Sequence, residues 1–246
     1  MRAILLALPL AALFAAPVRS DEASDLRDRV LKAYAKDPSD IKKIRLYSLK
    51  AKGIARPIDT PEPVNFEMVA GWPGHFKATA EFGDGANKRV IILCGADDRG
   101  WKKVTGAPPM EMSFESMNDF RADTYAVWVS TLLTLTDAAS KLSAAGKAKV
   151  GDDPVLGLKI TQPARPDITL FFHEKTGLLR KMTYRSRDAG ATTTKDMFYA
   201  GHKEFGGLML PTHQTTQIDG KDLYTWTDME YKFLDKLDQK LFVPEK

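Results

Sequence analysis

Hydrophobic side chains along this 246-residue chain recur with two different periods, and the changes between them divide the chain into elements. Leu26, Val30, Leu31 and Tyr34 fall at helical spacing between Ala23 and Lys36, and Pro38 stops the run. This predicts one amphipathic N-terminal helix. From Ile41 onward the spacing is that of a strand, with Ile44, Leu46 and Ser48 alternating with Arg45, Tyr47 and Leu49. A Pro-rich break runs from Pro57 to Pro63. Strands are then predicted at Val64 to Ala70, His75 to Phe82, Lys88 to Cys94 and Trp101 to Val104. Gly71-Trp72-Pro73-Gly74, Gly83-Asp84-Gly85 and Gly95 to Gly100 separate them as turns, because Gly supplies positive φ and Pro fixes its own.

Between Ser113 and Ala145 proline disappears, and Phe114, Met117, Phe120, Tyr125, Trp128, Leu132, Leu133 and Leu135 form an apolar series. It reads as one or two helices, with breaks near Asp123-Thr124 and Leu135-Thr136-Asp137. The strand pattern returns at Lys147. Strands are predicted at Val155 to Gln162, Ile168 to His173, Leu178 to Arg187, Thr193 to Glu204, Met209 to Ile218 and Leu223 to Phe233. Short turns between them require antiparallel pairing, since a parallel crossover takes roughly a dozen residues or more. No fixed-period repeat is present. The fold class is mainly β with added helices (α+β).

The N-terminus changes the picture of where the chain works. Met1-Arg2, an apolar run from Ala3 to Ala16, and small residues at Val18 and Ser20 before Asp21-Glu22 read as a secretory signal cleaved after Ser20. Residues 21–246 are then expected to form one domain with a helical insert at about 113–145, periplasmic or secreted. No Cys follows the apolar run, so the mature chain is expected to carry no stable membrane anchor. The single cysteine, Cys94, allows no intrachain disulfide and reads as a small buried hydrophobe. A net charge of +4 from 36 basic and 32 acidic residues, with no long basic block, gives no reason to expect a nucleic-acid partner.

Three C-terminal patterns resemble the LolA-like family of periplasmic lipoprotein carriers and its relatives, LolB among them. They are Phe171-Phe172-His173-Glu174-Lys175-Thr176-Gly177-Leu178-Leu179-Arg180-Lys181, the stretch from Tyr199 through Gly207-Leu208-Met209-Leu210-Pro211, and the terminal Leu241-Phe242-Val243-Pro244. Gly177 is expected to close a hairpin, Pro211 to open a strand where no ladder donor is needed, and Phe242 to plug an open end of the core. The resemblance covers roughly Val155 to Pro244. It implies a curved antiparallel sheet forming an unclosed half-barrel whose concave face is covered by helices. Members of that family hold acyl chains of lipids or lipoproteins there, or act as envelope sensors.

Candidate chemistry is sparse. His75, His173, His202 and His213 are scattered without metal-ligand spacing, Gly83 to Lys88 reads as a turn rather than a phosphate loop, and no Gly-x-Ser-x-Gly elbow occurs. Asp97-Asp98 and Asp152-Asp153 fall in turns, and Arg121 reads as a solvated helix residue. The expectation is a protein that is not an enzyme and has no cofactor or metal. Flexible Met and aromatic residues can line an adaptable pocket, and Phe114, Met117, Phe120, Trp128, Phe172 and Met197 are the candidate lining, with plain core as their other reading. The expected partner is a lipid acyl chain or lipoprotein. The alternative function is a non-catalytic envelope module that docks another protein.

Overall fold

The computed structural model describes residues 20–56, 60–96, 98–188 and 190–244. The expected leader therefore lies outside the described residues apart from Ser20, as do residues 57–59 of the Pro-rich break. Among the described residues, two α-helices, α1 (Ser20–Tyr34) and α2 (Phe114–Ser130), accompany fifteen strands. The first six are β1 (Leu46–Ala55), β2 (Glu62–Gly71), β3 (His75–Phe82), β4 (Arg89–Ala96), β5 (Arg99–Val104) and β6 (Met110–Glu111). After α2 come β7 (Lys141–Val150), β8 (Asp153–Thr161), β9 (Ile168–His173), β10 (Leu179–Asp188), β11 (Ala191–Ala200), β12 (Lys203–Phe205), β13 (Leu208–Leu210), β14 (His213–Ile218) and β15 (Lys221–Phe233).

Thirteen of these strands form one antiparallel sheet in the order β6-β5-β4-β3-β2-β1-β15-β14-β11-β10-β9-β8-β7. Neighbouring strands twist by roughly 20–25° each, so a sheet this wide curls. Extra residues sharpen the curl: pairing slips between Lys50 and Lys52 where β1 meets β15, and between Thr216 and Gln217 where β14 meets β15. The sheet does not close, and its shape is that of an unclosed half-barrel. Its two edges, β6 and β7, are consecutive strands in the chain, and the segment between them must cross the full width of the sheet. Helix α2 is that crossing.

Both helices share one core with the inward side chains of the sheet, including Val30, Tyr34, Val129, Leu170, Phe172 and Met182. The predicted hairpin turn forms as the sequence implies. Gly177 takes φ 71°, its N–H donates to the His173 carbonyl at 2.9 Å, and a Cβ there would lie 3.0 Å from Ala33 of α1. His173 Nδ1 accepts from the N–H of Lys175 and Thr176, each at 3.2 Å, which places this histidine in turn architecture.

Four expectations are corrected. The helical insert is shorter than 113–145: α2 runs unbroken through Asp123-Thr124, a 3-10 turn spans Leu133–Thr136, and β7 begins at Lys141 rather than Lys147. Lys141–Val150 is an Ala- and Lys-rich strand whose local propensity is poor, and pairing with β8 overrides it. The strand predicted from Thr193 to Glu204 ends at Ala200, and the one predicted from Met209 to Ile218 is split. Between them the chain leaves the main sheet as the small β12–β13 hairpin, and Leu208 bridges to Ala35 just after α1. A two-residue edge strand, β6, carries no sequence signal. Phe242 does not plug the main core. It packs with Cys94 and Trp101 on the opposite, outer face of the sheet, where the Trp101 indole donates to the Phe242 carbonyl at 2.9 Å. Cys94 is fully buried in this cluster, as its pattern predicts, and burial pushes its thiol up to about 11.

Candidate functional site

The curled sheet and α2 leave a cavity of about 510 Å³ between them. Its wall is built by strand alternation. Tyr47, Leu49 and Ala51 of β1, Met68 of β2 and Ala78 of β3 point inward from one side, and Met197 and Tyr199 of β11 and Trp226 of β15 from the other. Small residues such as Ala51 and Ala78 on the inward face leave space that larger side chains would occupy. Helix α2 forms the roof through Phe120, Asp123 and Val127. It lies close to the sheet because Gly95 and Gly100 face each other across β4 and β5. A Cβ at Gly95 would come within 2.4 Å of the Phe120 ring, and one at Gly100 within 2.7 Å of Met117 Sδ.

One side of this cavity is latched by ionic and hydroxyl contacts. Asp123 of α2 accepts from Lys195 Nζ at 2.8 and 2.9 Å, from the Tyr184 hydroxyl at 3.0 Å and from Ser186 Oγ at 3.2 Å. Lys195 is nearly buried, so the carboxylate is the group that compensates its desolvation. Burial, and then the neighbouring Asp123 charge, pushes the Tyr184 hydroxyl far above its ordinary value, so it stays a neutral donor. This cluster holds the roof to β10 and β11.

A second cavity, of about 580 Å³, lies along the other flank of α2. Trp72, Pro73 and Phe76 form one wall, Met117, Tyr125 and Trp128 of α2 another, and Pro163 to Pro166 a third. Arg121 donates to the Asp98 carbonyl and carboxylate at 3.1 and 3.2 Å, tying α2 to the turn before β5 and giving this residue a partner the sequence did not foresee. Arg165 sits 5.5 Å over the Tyr125 ring, and the carboxylates of Asp137 and Asp167 lie close enough to act on the same hydroxyl. Two polar atoms on the cavity's residues, Trp128 Nε1 and the Tyr125 hydroxyl oxygen, are buried without a hydrogen-bond partner, whereas the Trp72 indole is directed to the Tyr47 hydroxyl. Each such group costs about 1–3 kcal/mol. Burial also raises the Tyr125 hydroxyl to about 12.

The six residues singled out in the sequence fall in four places. Phe120 walls both cavities, Met197 lies on the first, and Met117 and Trp128 lie on the second. Phe114 is 82% exposed at the first residue of α2, outside the packed part of the helix, and lines neither cavity. Phe172 is fully buried on β9 within the core shared with α1, and it too touches neither cavity. Sequence reading missed Asp123, Lys195, Tyr184, Trp72 and Arg165. The usable signal was Asp123, an acid inside an apolar helical series, which was read as a break rather than a latch. Among the described residues, no three His, Cys, Asp or Glu side chains gather as metal ligands would, and no helix is long and apolar enough to cross a membrane.

No protein-family model and no curated protein sequence matches the chain. Solved structures do resemble it. A LolA superfamily protein from Nitrosomonas europaea superposes with a TM-score of 0.55 at 13% identity, covering 90% of this chain and 97% of that one. A DUF1329 family protein from Desulfovibrio piger gives 0.57 at 12% identity, covering 90% and 97%. A putative outer membrane lipoprotein-sorting protein domain from Vibrio parahaemolyticus gives 0.55 at 8% identity, covering 91% and 97%. A thirteen-strand half-barrel roofed by a helix that joins its two edges, together with these likenesses, gives this chain a LolA-like fold.

Proposed function

We propose that this chain is an exported, non-catalytic envelope protein that holds an acyl chain of a lipid or lipidated protein between its sheet and α2. The observation that carries this reading is the cavity of about 510 Å³ under α2, with its Met, Leu, Phe and Trp wall. Ligand pockets run roughly 300–1,000 Å³, so the space suits a small amphiphile or part of a longer chain. Burial contributes about 0.8 kcal/mol per CH₂, which makes even a partial acyl chain a useful ligand before the cost of association is subtracted. The structural likeness to a lipoprotein-sorting domain and the signal-like N-terminus agree with it. A module that only docks another protein needs no internal void, and the cavity weighs against that alternative.

The test is to express the chain with its own N-terminus in a bacterial periplasm, purify it without detergent and record its native mass. A stoichiometric acyl ligand, or a rise in melting temperature on adding a lipid of matching chain length, is the expected result. A ligand-free mass combined with no melting shift across fatty acids and phospholipids would remove the carrier reading and leave the docking module.

A further inference from the structure

The first cavity is a trough with a direction. Six of its residues form one row of cross-strand partners: Tyr231 on β15, Leu49 on β1, Met68 on β2, Ala78 on β3, Leu93 on β4 and Lys102 on β5. Partners directly opposite in antiparallel strands point to the same face, so the row is one continuous strip of the concave wall. Exposure rises along it. Met68 is 3% exposed, Ala78 7% and Leu93 36%, and Met110, which pairs with Lys102 on the edge strand β6, is 47% exposed. The deep end therefore lies at β1 and β15. The mouth lies at the free β6 edge, under the first half of α2, where Met117 packs over Gly100.

The dimensions of the trough limit what it takes. Strands lie about 4.8 Å apart, so the four steps from β1 to β5 span about 19 Å. The hydrocarbon core of a bilayer, about 30 Å, is two acyl chains deep, which gives about 15 Å for one chain. One tail laid along the row from Leu49 thus brings its polar end to Lys102. Volume is equally restrictive. A cavity of about 150 Å³ holds the six carbons of benzene, and at that scale the 510 Å³ here takes about twenty carbons, enough for one chain and its linkage but not for two chains.

The mouth carries free charge of both signs. Lys102 and Asp119 both line the cavity, and neither has an ion-pair or hydrogen-bond partner among the described residues. The other charges nearby are engaged or turned away. Asp123 and Lys195 are closed on each other in the latch, Arg187 and Glu115 face each other in solvent at 3.7 Å, and Lys103 and Glu111 alternate to the outer face with Trp101. One cation and one anion remain where the polar end of a ligand would lie, which complements a zwitterion better than a simple anion. We propose that the ligand of this cavity is a single-chain zwitterionic phospholipid, a lysophospholipid, with its tail along the row toward Leu49 and Tyr231, its phosphate at Lys102 and its ammonium at Asp119. The proposal rests on the carrier reading and narrows it to one chain with a head of two signs.

The full chain, purified without detergent, is offered oleoyl lysophosphatidylethanolamine, oleoyl lysophosphatidate, monooleoylglycerol, and mixed vesicles of dioleoyl phosphatidylethanolamine and dioleoyl phosphatidylcholine. Native mass counts the lipid retained, and the fluorescence of Trp226, which lines the cavity, gives the affinity. One lysophosphatidylethanolamine per chain and no diacyl lipid is the expected result. Lys102→Gln weakens both phosphate-bearing ligands about tenfold, the loss of one charge-assisted contact. Asp119→Asn weakens lysophosphatidylethanolamine by about the same factor and leaves lysophosphatidate, which has no ammonium, at least as tight. Both side chains are partly exposed, and an unchanged melting temperature of each variant verifies that the fold is kept. Diacyl lipid retained at one per chain, monooleoylglycerol bound as tightly as lysophosphatidylethanolamine, or either variant binding lysophosphatidylethanolamine as the parent does overturns the proposal and leaves the carrier reading standing. Binding of none of the four lipids removes both.

Discussion

The two flanks of α2 face cavities of similar size and treat their polar groups in opposite ways. On the side of the first cavity, one carboxylate from the helix collects an ammonium and two hydroxyls from the sheet, and the cluster is closed upon itself. On the other side, two buried donors, the Trp128 indole and the Tyr125 hydroxyl, have no hydrogen-bond partner among the described residues. Burial is common to both, so burial alone does not separate the two flanks; the state of hydrogen-bond satisfaction does. The latch fixes the height of the roof, while the Trp128 indole and the Tyr125 hydroxyl stand buried and unpaired on the opposite flank.

This contrast can be broken or sharpened in four ways. The largest effect is expected away from both cavities: Phe172→Ala should cost about 3–5 kcal/mol of stability by urea unfolding, because the side chain is fully buried core. Bound-lipid stoichiometry in the surviving folded protein should not change, and a selective loss of lipid would return Phe172 to the cavity wall. His202 comes next. Burial, with the Arg180 charge adding to it, lowers its pKa from 6.5 to about 4. The unfolded chain takes up a proton near the ordinary value and the folded chain only near 4. Stability from this group is therefore complete above pH 6.5 and falls as the pH drops through that window, by up to about 3 kcal/mol. His202→Gln should flatten the dependence of the urea midpoint on pH between 7 and 4.

Breaking the latch is third. Asp123→Ala leaves Lys195 nearly buried beside two hydroxyls and should cost about 2–3 kcal/mol, the Asp side chain being partly exposed to begin with. Amide exchange in α2 should quicken while β3 and β4 keep their protection; unchanged exchange would mean that the Gly95–Phe120 contact alone holds the roof. The smallest effect carries the opposite sign. Tyr125→Phe removes a buried hydroxyl with no partner and should be neutral or stabilising by less than about 1 kcal/mol. A clear loss of stability would show that the hydroxyl is satisfied in solution, and would weaken the contrast between the flanks.

Local pattern was enough to determine the parts. His75 to Phe82 and Ile168 to His173 are strands with the bounds their alternation predicts, Gly177 closes its hairpin, α1 covers its apolar stripe, and every ladder of the main sheet is antiparallel. Each of these depends on residues a few positions apart, where steric limits on φ and the two-residue side-chain period act directly. The site was only partly legible. Phe120 and Met197 stand on the first cavity, but Phe114 and Phe172 share their apolar chemistry and lie in solvent and in solid core. An apolar side chain announces that it will be buried, not whether the space beside it will be filled. Tertiary structure alone decided that β1 pairs with β15 across most of the chain, that β6 and β7 become the open edges, and that α2 spans the gap between them with a different cavity on each flank. The physical reason is that curvature, and the void it encloses, is a property of the whole thirteen-strand sheet, accumulated from small twists and bulges that no single stretch of sequence contains.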